Sequence, residues 1–240
     1  MTDTSRLPKL DVILLSGGSG SRFGGSVPKT FIEVKGRTLI LYPLLAFSSM
    51  PFVNHIVLVV GQECPLELIK NEPVMSDVTI VQGGETRTDS VRNGLETLCR
   101  MADCGEYIAV HDGARPFVPA DVIQNVLIAA VRHGIAAPGV PVTDTIKRLN
   151  PNNIVSEHLR RDELTAIQTP QIFRRDILEH LYHHHSAKNI VTDDTELAAL
   201  TGHQTKIVTG SRDMFKITYP EDILLAERVA EKYLGKMRRL

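Results

Sequence analysis

Long apolar runs are missing from this chain. No stretch of its 240 residues approaches the roughly 18 that a membrane-spanning helix needs. The first ten residues, MTDTSRLPKL, carry no hydrophobic core of the kind a secretory signal has. Both absences point to a cytoplasmic protein. Cysteine is scarce: there are three, Cys64, Cys99 and Cys104, with no C-x-x-C pair. An odd count without metal-ligand spacing argues against a disulfide scaffold and for a reducing compartment. A dominant charge sign is also absent. Lys and Arg total 27 against 28 Asp and Glu, for a net charge of −1, so nothing draws the whole chain toward nucleic acid or a membrane surface. No internal repeat or low-complexity segment is found.

What is present is alternation. DVILLS (11–16), HIVLVVG (55–61), VTIVQGG (78–84), YIAVHDG (107–113) and IAAPGVPV read as strands. TLILYPLLAFSSM, TDSVRNGLETLCRM and ADVIQNVLIAAVRHG read as helices between them. Val91, Leu95, Leu98 and Met101 fall at helical spacing. Strands that are apolar throughout, each followed by a helix, imply a parallel sheet covered on both faces. The expected class is α/β: one doubly wound, mostly parallel Rossmann-like sheet over residues 1–240. In such a fold, ligands lie beyond the carboxyl ends of the strands.

One segment breaks the alternation. Residues 142–163, VTDTIKRLNPNNIVSEHLRRDE, are polar and carry the turn signal NPNN between two short alternating stretches. Two readings fit: a β-hairpin arm projecting from the sheet, or a mobile loop. An arm of this kind is a poor structure alone and needs a surface to pack on, and a second copy of the chain is the obvious one. The arm reading is taken here, so a homodimer is expected.

The stretch SGGSGSRFGGSVPKT follows the first strand. It is neither standard phosphate fingerprint. G-x-G-x-x-G fails because Phe23 stands at the third glycine position, and G-x-x-x-x-G-K-[ST] fails because Pro28 stands where glycine would offer an N–H. What remains is G-x-G-x-R-x-G-x-x-x-P-K, with Arg22 and Lys29 seven residues apart. Glycines let main-chain N–H groups approach phosphate oxygens. An arginine fork with a lysine point charge suits a triphosphate that gains charge during reaction. The plain alternative is a flexible loop with surface cations.

At this point the chain resembles the nucleotidyltransferases that make nucleoside-diphosphate sugars and alcohols. GGETRTDSV (83–91), VHDGARPFV (110–118), PVTDTIKR (141–148), QTPQIF (168–173), VTDD (191–194) and FKITYPEDILLAE (215–227) narrow it, in that order, to the 2-C-methyl-D-erythritol 4-phosphate cytidylyltransferase family. The resemblance implies transfer of the cytidylyl group of CTP to an alcohol phosphate with release of pyrophosphate. It implies that Ser16, Gly17 and Gly18 line the CTP site while Arg22 and Lys29 contact its phosphates. Gly84, Glu85, Arg87 and Ser90 would hold cytosine and ribose, although Thr and Asp in that segment equally suit an ordinary helix start. Asp112, followed by Gly113, would meet the nucleotide and a Mg2+ ion held mainly by its phosphates. The second substrate would meet Arg115, Thr145, Arg161, Thr192, Lys216 and Thr218. Arg22, Lys29, Arg161 and Lys216 carry the charges expected to act in catalysis. Lys216 and Thr218 are expected to alternate on a short strand, and Thr145 and Arg161 to reach a partner's site from the arm.

Three positions depart from the family pattern: Ser16 where alanine is common, Thr30 where glutamine follows the lysine, and Met214 where asparagine often precedes the late lysine. None removes a charge. The internal HHH (183–185) has no spaced partner cluster and is not read as a metal site. Two other functions are carried forward: ribitol-5-phosphate cytidylyltransferase, and a nucleotide-binding protein without catalysis.

Overall fold

A computed structural model of the chain describes residues 7–17, 23, 27–184 and 191–237. Its centre is an eight-stranded mixed sheet. The strands are β1 (Leu10–Ser16), β4 (Val53–Val60), β5 (Val78–Gln82), β6 (Tyr107–Asp112), β7 (Ile135–Pro141), β10 (Thr165–Ile167), β11 (Gln171–Arg174) and β12 (Lys206–Thr209). β2 (Glu33–Val34) pairs with β3 (Arg37–Thr38), and β8 (Lys147–Leu149) with β9 (Val155–His158), each pair apart from the main sheet. The helices are α1 (Leu41–Ser48), α2 (Arg87–Cys99), α3 (Ala120–His133), α4 (Arg175–His184), α5 (Asp194–Leu200) and α6 (Asp222–Met237).

The pairing places β5, β4, β1 and β6 side by side and parallel, with β1 between β4 and β6. The chain moves outward from β1 to β5, then returns to add β6 on the other side. That reversal makes a switch point, and its crevice lies beyond Ser16 and Asp112. β10 and β11 run against β7, and β11 also runs against β6. Ala136 is opposite both Ile172 and Lys206, so β12 lies on the other edge of β7 from β11.

Strand period explains the two-faced core. Val12 and Leu14 turn to one face, where α1 supplies Leu44 and Phe47 and α3 supplies Ile123 and Val126. Ile13 turns to the other, where it joins Val91 and Leu95 of α2, Leu178 and Leu181 of α4, and Leu197 of α5. A third cluster joins Val34, Tyr42 and Phe117 to Ile217 and to Ala226 and Ala230 of α6. Local signals set the ends of the helices. Thr86 caps α2 in a reciprocal box with Asp89, and Gly134, at φ 83°, ends α3 where a side chain would be strained.

The alternation read from the sequence is present through β7. Two later features differ from it. The antiparallel strand β11, inserted between β6 and β7, was not expected, because a run of four residues has too short a pattern to declare its direction. Lys216 and Thr218 are not on a strand: residues 215–221 follow a single 3-10 turn, Arg212–Met214, in irregular backbone. Within that segment the Ile217 N–H donates to the Ala114 carbonyl, just beyond β6, at 2.9 Å.

The pair β8–β9 is joined through NPNN. Asn150 Oδ1 accepts from the N–H groups of Asn152 and Ile154, both at 3.0 Å. Asn153 adopts φ 60°, which asparagine tolerates better than most residues. Its apolar residues are uncovered: Leu149 is 52% exposed and Ile154 62%. No helix among the described residues is long and apolar enough to cross a membrane.

Gly94 lets α2 lie close against the sheet. A Cβ there would stand 2.7 Å from Ile13 Cγ2 and 3.1 Å from Val59 Cγ2. Gly94→Val therefore overpacks this contact and is expected to lower unfolding free energy by about 1–3 kcal/mol, measured by urea denaturation. Unchanged stability would show that α2 does not depend on this close approach.

Candidate active site

The crevice is floored by strand ends. Ser16 closes β1, and Gly17 passes against the backbone of Gly61 beyond β4. Gly113 follows Asp112 at the end of β6, and its N–H donates to the Leu15 carbonyl at 2.8 Å. A side chain at 113 would meet that carbonyl oxygen at 2.8 Å and Ile40 Cδ1 at 2.6 Å, so the turn after Asp112 needs glycine.

Asp112 gathers the charges. Lys216 Nζ donates to its Oδ2 at 2.7 Å. Arg87 Nε, from the first turn of α2, lies 3.5 Å from its Oδ1. Arg87 Nη2 makes a shorter bond, 2.8 Å, to Oδ2 of Asp194. Asp194 is fully buried at the start of α5, and the Tyr182 hydroxyl donates to its Oδ1. Burial alone would raise the Asp112 carboxyl, but the Arg87 and Lys216 charges override it and hold Asp112 well below the usual carboxylate range. Burial, with the Asp194 charge beside it, holds the Tyr182 phenol well above its ordinary value, so it stays a donor.

Behind Asp112 a polar strap sets its backbone. The Asp112 N–H donates to Thr169 Oγ1 at 3.1 Å. Thr169 Oγ1 lies 3.1 Å from His111 Nδ1, and His111 Nε2 lies 2.9 Å from the Arg115 carbonyl. A carbonyl only accepts, so Nε2 carries the proton and Nδ1 receives the Thr169 hydroxyl. The ring is neutral, as its burial requires: burial pushes His111 down to about 4. Arg115 donates through Nη1 to the Met214 carbonyl at 2.9 Å and through Nη2 to the Ile167 carbonyl at 3.4 Å. Gln168 Nε2 donates to the Ser211 carbonyl at 2.8 Å, which fixes the same turn just ahead of Lys216. Gln171 Nε2 donates to Asp193 at 3.0 Å while its Oε1 accepts from the Asp194 N–H at 3.2 Å.

The structure therefore brings Arg87, Asp112 and Lys216 together, with Gly113 beneath them. Ser16 and Thr30, two of the departures from the family pattern, touch: their hydroxyls are 2.7 Å apart and buried. Each satisfies the other, and they pin together the two ends of the glycine-rich stretch. Gly18 and Arg22 lie outside the described residues, and so does His185 of the HHH run. Lys29 opens a 3-10 turn, Lys29–Phe31, immediately before Thr30. At the nucleotide-base segment, Ser90 Oγ accepts from the Gly84 N–H at 3.2 Å and donates to the Thr86 carbonyl at 2.9 Å, while Glu85 is exposed. That segment is a helix start whatever else it holds. Thr192 is bound to Glu196 through both its N–H and its hydroxyl. Thr218 Oγ1 donates to the Lys216 carbonyl at 3.0 Å. Thr145 is exposed, and Arg161 donates to the Thr143 carbonyl at 2.9 Å. Neither is hydrogen-bonded to Arg87, Asp112 or Lys216. The Met214 side chain is buried in the core, and its carbonyl does the bonding.

Asp194, Tyr182, Thr169, Gln168 and Gln171 received no role from sequence. QTPQIF and VTDD stood out as motifs, but only the folded chain shows which partners they meet. Among the described residues, no three His, Cys, Asp or Glu side chains are grouped to hold a metal. Asp112, whose Oδ1 is approached only at 3.5 Å by Arg87, offers a hard oxygen at a strand end that would suit a Mg2+ ion taking its other ligands from phosphates and water.

A doubly wound sheet with an acidic group, two cations and Gly113 at its switch point defines an α/β protein of the class that binds its ligands beyond the strand ends. Known proteins narrow the class. The family model described as 2-C-methyl-D-erythritol 4-phosphate cytidylyltransferase matches residues 10–232. The protein of that description from Alkaliphilus oremlandii is 36% identical over 229 residues, covering 93% of this chain and 95% of its own. That of Dehalococcoides mccartyi (strain CBDB1) is 37% identical over 227 residues, covering 93% and 97%. The crystal structure of 2-C-methyl-D-erythritol 4-phosphate cytidylyltransferase from Thermus thermophilus matches with a TM-score of 0.75 at 29% identity, covering 93% of this chain and 99% of that one. The 4-diphosphocytidyl-2C-methyl-D-erythritol synthase of Anaerococcus prevotii matches with a TM-score of 0.80 at 26% identity, covering 93% and 98%. The chain belongs to the 2-C-methyl-D-erythritol 4-phosphate cytidylyltransferase family.

Folded His111 titrates near 4, below the ordinary value of 6.5, so between those values the unfolded chain takes up a proton that the folded chain refuses. This residue's contribution is whole above about pH 6.5 and is lost as pH falls toward 4, on the order of 3 kcal/mol over the window. His111→Asn is expected to flatten the pH dependence of unfolding free energy across that window, measured by urea denaturation at several pH values. A slope identical to that of the unsubstituted chain would refute the assignment.

Proposed function

We propose that this chain transfers the cytidylyl group of CTP to 2-C-methyl-D-erythritol 4-phosphate, giving CDP-methylerythritol and pyrophosphate for isoprenoid precursor synthesis. The observation that carries the proposal is the family match across residues 10–232, which runs through the Arg87–Asp112–Lys216 cluster at the switch point. A phosphate oxygen of the alcohol phosphate attacks the α-phosphorus of CTP. The bond from that phosphorus to the bridging oxygen breaks, and pyrophosphate leaves with its electron pair. No covalent enzyme intermediate is needed, so the protein's contribution is positioning and charge stabilisation.

Ser16, Gly17 and Gly18 line the nucleotide, while Arg22 and Lys29 draw charge from the α-phosphoryl group and the departing pyrophosphate. Gly84, Glu85, Arg87 and Ser90 border the base and ribose. Asp112 is the carboxylate that meets a divalent cation, which supplies charge neutralisation to the phosphates when bound. Lys216, Thr218, Thr192 and Arg115 serve the alcohol phosphate. Arg115 acts there with its terminal nitrogens already bound to carbonyls, and so chiefly by fixing the turn before Lys216. Thr145 and Arg161 complete the same subsite in a partner subunit. Residues 142–163 are the dimerisation arm of a single cytidylyltransferase domain working in the cytoplasm. The exposed apolar side chains of β8, β9 and the turn between them support this reading, since the described residues of one chain leave them largely uncovered.

Purified protein with CTP, Mg2+ and 2-C-methyl-D-erythritol 4-phosphate is expected to release pyrophosphate, and to do so faster than with ribitol 5-phosphate. Lys29→Met is expected to lower kcat by about 10²–10³-fold. Binding of CTP without turnover on any alcohol phosphate would defeat the enzyme reading. Ile154→Lys is expected to shift sedimentation from dimer to monomer and to remove activity in parallel. A fully active monomer would rule out a shared site.

A further inference from the structure

Arg87 stands between two carboxylates and treats them unequally. Its Nη2 is 2.8 Å from Asp194, a full charge-assisted bond, while its Nε is 3.5 Å from Asp112, at the limit of a hydrogen bond. Asp194 is able to win because it is held firmly. It is fully buried, its N–H is bound to Gln171, and its other oxygen receives the Tyr182 hydroxyl. It also lies in the first turn of α5, whose cap is Asp193 accepting from the Glu196 N–H at 2.8 Å. The four charges balance: two carboxylates, one guanidinium and one ammonium.

We propose that Asp194, oriented by Tyr182, is a positioning residue that holds Arg87 back from Asp112 and so keeps Asp112 Oδ1 available to the divalent cation of the nucleotide complex. The inference rests on the reading of Asp112 as the carboxylate that meets the cation. Without the Asp194 charge, Asp112 is the carboxylate that remains paired with Arg87 among the described residues. The guanidinium then closes onto Oδ1, Lys216 already holds Oδ2, and a cation has to displace one of them. The same restraint ties the nucleotide segment at 83–90 to the segment at 191–194, since Arg87 belongs to one and Asp194 to the other.

The test is Mn2+ binding at saturating CTP, followed by electron paramagnetic resonance, with the half-activating Mg2+ concentration as a second reading. Asp194→Asn is expected to weaken Mn2+ binding about tenfold or more, as loss of a group that orients a metal-site residue commonly does. Tyr182→Phe, which keeps the ring, shifts it in the same direction by a smaller factor. The double variant Asp194→Asn/Arg87→Gln recovers most of the cation affinity, because the competing charge is gone. A merely structural Asp194 would give no such recovery. A folded Asp194→Asn with unchanged Mn2+ affinity overturns the proposal, as does a double variant no better than the single. If Asp194→Asn does not fold, Tyr182→Phe decides, and unchanged affinity there overturns it. Absence of CTP-dependent Mn2+ binding in the unsubstituted protein instead defeats the reading of Asp112, and the inference with it.

Discussion

One carboxylate at the end of β6 organises this molecule's working end. Asp112 is mostly enclosed, and an enclosed charge is tolerated only with partners of opposite sign. Those partners come from far apart in the chain: Arg87 from the start of α2 and Lys216 from the segment before α6. Each in turn needs support. Arg87 is steadied by Asp194 on α5, and the turn preceding Lys216 is gripped by Arg115 and Gln168. Much of the polar order in the interior exists to keep a single negative group ionised and in place.

The sheet makes this possible. β6 ends at the switch point because the chain reverses direction across β1, so Asp112 comes out beside the Leu15–Ser16 end of β1. The two antiparallel strands bring Thr169 under the Asp112 backbone, and Gln168 and Gln171 fan outward from the same segment to the Lys216 turn and to α5. A motif that reads as six consecutive letters is a brace reaching three separate elements. Ser16 and Thr30 illustrate the same economy on a smaller scale, since two substituted positions satisfy one another.

The first half of the fold could be read from residue order, because each of its strands is long enough to show continuous apolar character and each helix carries its own period. The antiparallel β11 and the short β12 could not, since four residues do not reveal which neighbour they will pair with. Lys216 was recognised as a site residue but assigned to a strand, because alternating apolar and polar residues look alike in a strand and in extended backbone pinned at one point. Asp194 and Tyr182 were passed over for another reason. Nothing local marks a carboxylate in a helix start as the partner of an arginine 107 positions away.

Pattern alone pointed to the α/β class, and the order of short motifs carried the resemblance to the family, because strand and helix periods and short motifs are properties of neighbouring residues. Pairing of charges, the tautomer of His111 and the unequal grip on Arg87 came only with the folded chain. Electrostatic and hydrogen-bond energies depend on distance and burial in space, and separation along the chain encodes neither.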